Sequence, residues 1–397
     1  MPKGEKVLWD ISVYEAEKVE KANTEQEATE DGRAGGESSI LFFGGKDAGK
    51  TTIICRFLDR DDIPKSTIAL EYTFGRRSKG HNVGKDVGHI WELGGGTNMT
   101  QLLEVPINMS NLKALSVVLV VDLSKPETMW TVLETSLKAV NERIKQVIKK
   151  LAVEDPQIEE RLRRKSFNRF ALDHPDRDLV EPMLIPFGIL GTKYDLFQNF
   201  DSEKRKVISR TLRFVAHNYG GTLLFSSSKN ESILMRVRSL MSHFVFGTNL
   251  NKAYCVDHNK PISAPCGTDS MNQIGGPPIT DGSIGQIQAR SPLDLWKQAF
   301  TSYFPQEATG SASISDDPAK DPQYAEPEVD SMRAQKDEVL QEEHIHQSNK
   351  PKNWHDIVKY LKDEPKNVQW EPEWAMVTEQ TLNQFLSYYS THLLSSV

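Results

Sequence analysis

Apolar residues fall along this chain in two alternating rhythms. Ile40-Leu41-Phe42-Phe43 and Leu115-Ser116-Val117-Val118-Leu119-Val120-Val121-Asp122 are nearly continuous apolar runs, as in strands buried on both faces. Ile68 to Phe74 and Val87 to Leu93 alternate and carry aromatics, which predicts two half-buried strands followed by a Gly94-Gly95-Gly96 hinge. Ile185 to Leu190 and Thr222 to Phe225 complete the strands. Between these runs the spacing changes to three and four. Thr52 to Leu58 reads as a helix. So do Met129, Leu133, Leu137, Val140, Ile144, Val147, Ile148 and Leu151, the stretch 202–219, and Ile233, Leu234, Val237, Leu240, Met241 and Phe244. Ser124 and Glu127, with Pro126 in the first turn, predict a capping box for the longest of these helices. Strands alternating with helices predict an α/β body, doubly wound around a mostly parallel sheet, over residues 38–248.

The pattern weakens on both sides of that body. Residues 1–37 form an extension in which Trp9 and Ile11 could pack on the body or on a partner, and Glu25 to Glu37 is too acidic and Gly-rich to bury much surface. Within the body, 153–183 is an irregular insertion whose Arg161, Arg163, Arg164 and Lys165 read as a solvated face. Residues 249–304 are an extended arm, rich in Pro, Gly, Ser and Asn, that ends in an amphipathic helix through Leu293, Trp296, Ala299 and Phe300. That helix is placed as a partner-docking element, with docking on its own body left open. Residues 305–343 are charged and helix-prone. Residues 344–397, with Trp354, Trp370 and Trp374, form a variable tail.

The chemistry sits where the first strand meets the first helix. Gly44-Gly45-Lys46-Asp47-Ala48-Gly49-Lys50-Thr51 reads G-x-x-x-x-G-K-T in a strand, loop, helix context, the requirement for a phosphate-binding loop of P-loop GTPase type. Glycine lets successive N–H groups turn toward one oxyanion, and the following helix N-terminus adds partial positive charge. Gly44, Lys46, Asp47, Ala48, Gly49, Lys50, Thr51 and Thr52 are therefore the phosphate contacts. Lys50 would reach the β and γ phosphates, and the Thr51 hydroxyl would hold Mg²⁺. Thr192-Lys193-Tyr194-Asp195, at a strand end, resembles an N-K-x-D guanine reader with Thr192 in place of Asn, although Asp195 could instead cap the next helix. Ser227, in the turn Ser226-Ser227-Ser228-Lys229, stands where such folds touch the guanine carbonyl. The expected cofactor is GTP or GDP with Mg²⁺, or an empty site.

The catalytic half departs from the pattern. Glu92-Leu93-Gly94-Gly95-Gly96 occupies the place of D-x-x-G-Q, so the metal-side carboxylate is one methylene longer and Gly96 replaces the residue that orients water. Thr67 and Thr73 are both candidates for a switch threonine. The expectation is a fold with little or no hydrolysis, because phosphoryl transfer depends on positioning. No catalytic residue is assigned.

Composition trims the alternatives. A net charge of −7 argues against a nucleic-acid binder. Cys55, Cys255 and Cys266 lack zinc or disulfide spacing, which favours a reduced cytosolic setting. No signal-like or 18-residue apolar stretch is seen, so the expectation is a soluble protein without direct membrane insertion.

The runs F-F-G-G-K-D-A-G-K-T-T-I-I, A-L-E-Y-T-F-G-R-R-S-K-G-H-N, W-E-L-G-G-G, Val121 to Pro126, Ser202 to Val207, Gln273 to Pro278, S-P-L-D-L-W-K, and the segment from Asp317 together resemble the dynein light intermediate chain family, in its dynein 2 branch. The resemblance covers about residues 38–343. It implies a non-motor subunit that binds and stabilises the dynein 2 heavy chain and meets the other dynein 2 subunits. It also implies indirect links to microtubules and intraflagellar transport particles, a role in retrograde intraflagellar transport and cilium assembly, and a location in the cytoplasm, on the cytoskeleton and in the cilium, at axoneme and basal body or centrosome. A slow GTPase switch controlling motor assembly is the alternative.

Overall fold

The computed structural model describes residues 38–60, 64–78, 85–250, 253–278, 289–307 and 326–348. The expectations for Trp9, Ile11, the acidic segment before Ser38 and the tail tryptophans lie outside these residues.

In chain order the strands are β1 (Ser38–Gly44), β2 (Leu70–Ser78), β3 (Lys85–Leu93), β4 (Leu115–Asp122), β5 (Phe187–Thr192), β6 (Thr222–Phe225) and β7 (Ser263–Ala264). The helices are α1 (Lys50–Phe57), α2 (Pro126–Glu154), α3 (Ile158–Phe167), α4 (Tyr194–Phe197), α5 (Ser202–Asn218), α6 (Glu231–Phe246), α7 (Met271–Ile274), α8 (Pro292–Tyr303) and α9 (Pro327–Ser348). The sheet order is β2-β3-β1-β4-β5-β6-β7. The five central strands run parallel, and β2 and β7 close the two edges antiparallel. Strand order reverses at β1, so the crevice between the carboxyl ends of β1 and β4 is the switch point where ligands of such sheets bind.

The unbroken apolar strands are covered on both faces, as their composition requires. One face carries Leu41, Val117, Leu119 and Ile189 against α2 and α5. The other carries Ile40, Phe42, Val118 and Leu190 against α1 and α6.

Helix starts follow hydrogen-bond supply. Asp201, Asn230 and Ser291 accept backbone N–H groups at the starts of α5, α6 and α8. The expected Ser124–Glu127 box is not formed. Ser124 turns its hydroxyl to Asp122 Oδ1, at 2.6 Å, and α2 begins one residue later behind an uncapped Lys125. The carboxylate at the end of β4 outcompetes the helix N–H groups for that hydroxyl. Gln306, from far along the chain, joins the second turn of α2, accepting the Trp130 N–H at 2.9 Å and donating to Pro126 O at 3.0 Å.

The segment after Gly247 returns to the body rather than leaving it. Leu223 and Leu224 pair with Ala264 and Ser263, which adds β7 to the sheet, and Cys255 bridges Ser263 in turn. In α8, Trp296 stacks on Phe214 at 4.7 Å and Phe300 packs on Trp130 at 6.0 Å. All four rings are nearly inaccessible to solvent. The apolar stripe foreseen for α8 is thus met by the chain's own α2 and α5. The insertion contains α3, with Ile158 and Leu162 buried and Arg161 paired to Asp155 at the surface. The segment of α9 whose side chains are described is exposed throughout.

Candidate nucleotide site

The loop after β1 is shaped by backbone that L residues rarely adopt. Gly44 has φ 128°, Asp47 φ 57° and Gly49 φ 87°. A Cβ on Gly44 would lie 2.2 Å from Val120 O, so only glycine lets β1 turn this closely over β4. A Cβ on Gly49 would meet nothing within 4 Å. The open side of the loop is therefore at the start of α1, where the helix offers unpaired N–H groups.

Lys50 lies back over this loop, with Nζ donating to Gly45 O at 2.8 Å. Burial pushes its ammonium below the ordinary lysine value, and Glu92 and Asp47 act against that shift. Thr51 donates its hydroxyl to Glu92 Oε1 at 2.8 Å, which leaves the hydroxyl lone pairs able to accept. Glu92, at the end of β3, is 4% exposed. Burial raises its carboxyl above the usual range, countered by the Thr51 hydroxyl and the Lys50 charge. The longer carboxylate therefore reaches the loop threonine directly. Ala48 is buried, Thr52 is half-buried, and Lys46 and Asp47 face solvent.

The base-side residues converge on the same loop. Thr192 Oγ1 lies 2.7 Å from Ala48 O and 3.1 Å from Val121 O, so this hydroxyl ties β5 to the phosphate loop and to β4. Threonine in place of asparagine keeps a link between the two halves of the site. Lys193 is held in a left-handed conformation (φ 56°) and donates to Asp122 Oδ2 at 2.5 Å. Asp195 does not cap α4, which has no side-chain cap. Its carboxylate instead accepts from Lys229 at 2.7 Å and from Ser227 at 2.9 Å, and these contacts hold it below the usual carboxylate range. Ser226 N donates to Gly191 O at 2.6 Å, fixing the Ser-rich turn against β5. Asp122 and Lys229 were not singled out from sequence. A β4-end Asp and a Lys closing the Ser turn were the available signals.

The hydrolytic side is closed by glycine. Gly96 has φ 64°, and a Cβ there would lie 3.2 Å from Lys46 N and 3.4 Å from Lys46 Cβ. A side chain at this position would be both strained and tight against the loop. The threonine candidates are also engaged: Thr67 Oγ1 donates to Glu71 Oε2 at 2.9 Å, and Thr73 accepts from Arg60 at 2.8 Å.

A second polar assembly lies at the far end of α5. Asp176 accepts from Met271 N at 2.7 Å and shares a 2.9 Å contact with His217 Nε2, while Arg213 grips Asp269 through two bonds of 2.7 and 2.6 Å. His174 lies 2.9 Å from Asp269 O and accepts from Asp176 N at 3.2 Å. Ligand-capable atoms of His174, Asp176 and His217 lie within 4.8 Å of one another. Each of these side chains has hydrogen-bond partners in the protein, so the network accounts for the cluster without an ion.

Fold and loop define an α/β body of the P-loop GTPase type. A family model described as "Dynein light intermediate chain (DLIC)" matches residues 24–182. Proteins named "Cytoplasmic dynein 2 light intermediate chain 1" are similar over most of the chain. The bovine one (Bos taurus) is 49% identical over 350 residues, 88% of this chain and 97% of its own length. The human one (Homo sapiens) is 45% identical over the same shares. The zebrafish one (Danio rerio) is 44% identical over 89% of this chain and 98% of its own. The chain belongs to the dynein light intermediate chain family. A solved structure described as the "Crystal Structure of the Dynein Light Intermediate Chain's Conserved Domain" aligns with TM-score 0.45 and 14% identity, over 67% of this chain and 89% of that one. No helix among the described residues is long and apolar enough to cross a membrane.

Proposed function

We propose that this chain is a non-motor subunit of the dynein 2 complex. In this reading it binds and stabilises the heavy chain for microtubule-based retrograde intraflagellar transport and cilium assembly, working in the cytoplasm, on the cytoskeleton and in the cilium. Near full-length similarity to proteins named as dynein 2 light intermediate chains carries the reading.

The nucleotide-type body serves as a scaffold in it. A bound GTP or GDP would place its phosphates against the N–H groups of Lys46 to Thr51, its Mg²⁺ at Thr51, and its base beside Asp195, Lys193 and Ser227. The open cradle at Gly49 and the Thr192 tie support that fit. Such a ligand stabilises the body by mass action without being turned over. Gly96, in a left-handed conformation beside Lys46, supports the absence of efficient hydrolysis.

A switch reading, in which nucleotide state controls motor assembly, rests on Lys50, Thr51 and Asp195 all being present. Lys50→Ala separates the two. The scaffold reading expects a folded variant that still co-purifies with the dynein 2 heavy chain. A folded variant that loses the heavy chain selectively would replace it with the switch.

A further inference from the structure

The basic run after Phe74 is not used by the nucleotide site. It lines a cavity of about 460 Å³ at the free β2 edge of the sheet, between the C-terminal ends of α1 and α6. Among the described residues its walls bring together Arg60, Arg76, Arg77 and Arg238, with Asp59 as the carboxylate, in a chain whose net charge is −7. Concentrating cations there leaves a local charge opposite in sign to the whole.

Two of these cations have polar partners and two lie on aromatic rings, Arg60 donating to Thr73 Oγ1 at 2.8 Å. Arg238 pairs with Asp59 at 2.5 Å, but its Nε is buried with no acceptor. Among the described residues no ion pair engages Arg60, Arg76 or Arg77. Arg76 lies over the Phe74 ring at 5.0 Å and Arg77 over Phe246 at 6.0 Å, cation–π contacts that occupy no hydrogen-bond acceptor. Phe74 is 44% exposed, and Tyr72, two residues before it on β2, is 45% exposed. Beside it, β2 pairs among the described residues only with β3, so its other edge offers backbone groups to an extended chain.

We propose that this groove is an interaction site for an extended acidic protein segment carrying an aromatic or large aliphatic residue. Its carboxylates would pair with Arg60, Arg76 and Arg77, a geometry that planar guanidinium groups favour. Its apolar side chain would cover Phe74. The site is separate from the phosphate loop and does not depend on a nucleotide.

The test uses the full chain and a fluorescein-labelled peptide of about twelve residues, long enough to run the length of β2, with Glu and Asp alternating with Phe and Leu. A control peptide carries Gln and Asn at the acidic positions. Fluorescence anisotropy is expected to show saturable binding of the acidic peptide alone. Arg76→Glu/Arg77→Glu should weaken it by about tenfold or more, and Phe74→Ser by a smaller factor. Arg163→Glu/Arg164→Glu, an equal charge change on α3, should leave it intact. Circular dichroism checks that the variants fold; Arg60→Gln with Phe74→Ser gives a second route should the double reversal fail to fold. Absence of binding, equal binding to the Arg76/Arg77 variant, or indifference to Phe74→Ser would overturn the proposal. Light scattering that finds a dimer lost in the same variant would also overturn it, assigning the groove to a second copy of this chain.

Discussion

Two polar assemblies organise this body, and they differ in what they leave open. Around the carboxyl ends of β1, β4 and β5, Thr51, Lys193 and Asp195 are each held by a protein partner yet stay partly exposed. At the far end of α5, Arg213, Asp269, Asp176 and His217 are closed on one another and at most 8% exposed at their side chains. The first arrangement is the one where we propose a nucleotide. The second is built to hold two distant chain segments, 167–183 and 265–276, against one helix.

The contrast is sharpest if one member of the closed assembly is removed. Asp269→Ala leaves the Arg213 guanidinium buried and unpaired, a loss of about 3–5 kcal/mol. Urea denaturation should show that loss. Asp269→Leu with Arg213→Met should recover much of it, since isosteric apolar replacement of a buried pair is often near neutral. Full stability in the single variant would mean that the pair is not buried in solution.

The next largest effect is expected at the α8 contact. Trp296→Ala removes the ring stacked on Phe214, at a cost of about 3–5 kcal/mol if the cavity does not collapse. Hydrogen exchange should then rise across 292–304 and the Gln306 strap before it rises in β1 or β4. Uniform loosening would deny that this segment opens as its own unit.

Acid should weaken the closed assembly. Burial holds the His217 imidazole below its ordinary value of 6.5, outweighing its hydrogen bond to the Asp176 carboxylate. The unfolded chain therefore takes up this proton first. The stability tied to the neutral ring is full above about pH 6.5 and falls as pH drops below it. A melting temperature that declines between about pH 7 and 5.5, with His217→Gln flattening the decline, is the expected result.

The smallest effect should come from the open assembly. Gly96→Ala puts a Cβ at φ 64° and 3.2 Å from Lys46 N, costing about 1–2 kcal/mol. Calorimetry should detect this destabilisation with no gain in GTP hydrolysis.

The open assembly was legible in the sequence because its signals are local. Gly44 to Thr51 is one continuous motif, and Thr192 to Asp195 and Ser226 to Lys229 are short runs at strand ends. Even there, Thr192 could be read only as a departure from asparagine; its tie to Ala48 needed the folded chain. The closed assembly left no comparable signal. Asp176 and His217 are 41 residues apart, Arg213 and Asp269 are 56, and Asp176 and Met271 are 95. No periodicity links such positions. The same holds for residues 249–304, whose polar composition suggested an arm. Apolar residues scattered through that polar sequence, among them Ile262, Ile274, Trp296, Phe300 and Phe304, are buried on the body. The Ser124–Glu127 box failed for a related reason, since Asp122 enters only once β4 has placed it beside the helix start.

The central claim is a body of GTPase shape that does not turn nucleotide over. Its most direct test loads the purified full chain with GTP labelled at the γ phosphate, adds Mg²⁺, and follows labelled phosphate release under single-turnover conditions. The account predicts no release above the solution background, with any bound label still GTP when the protein is denatured. A burst approaching one phosphate per chain, abolished by Lys50→Ala, would contradict it.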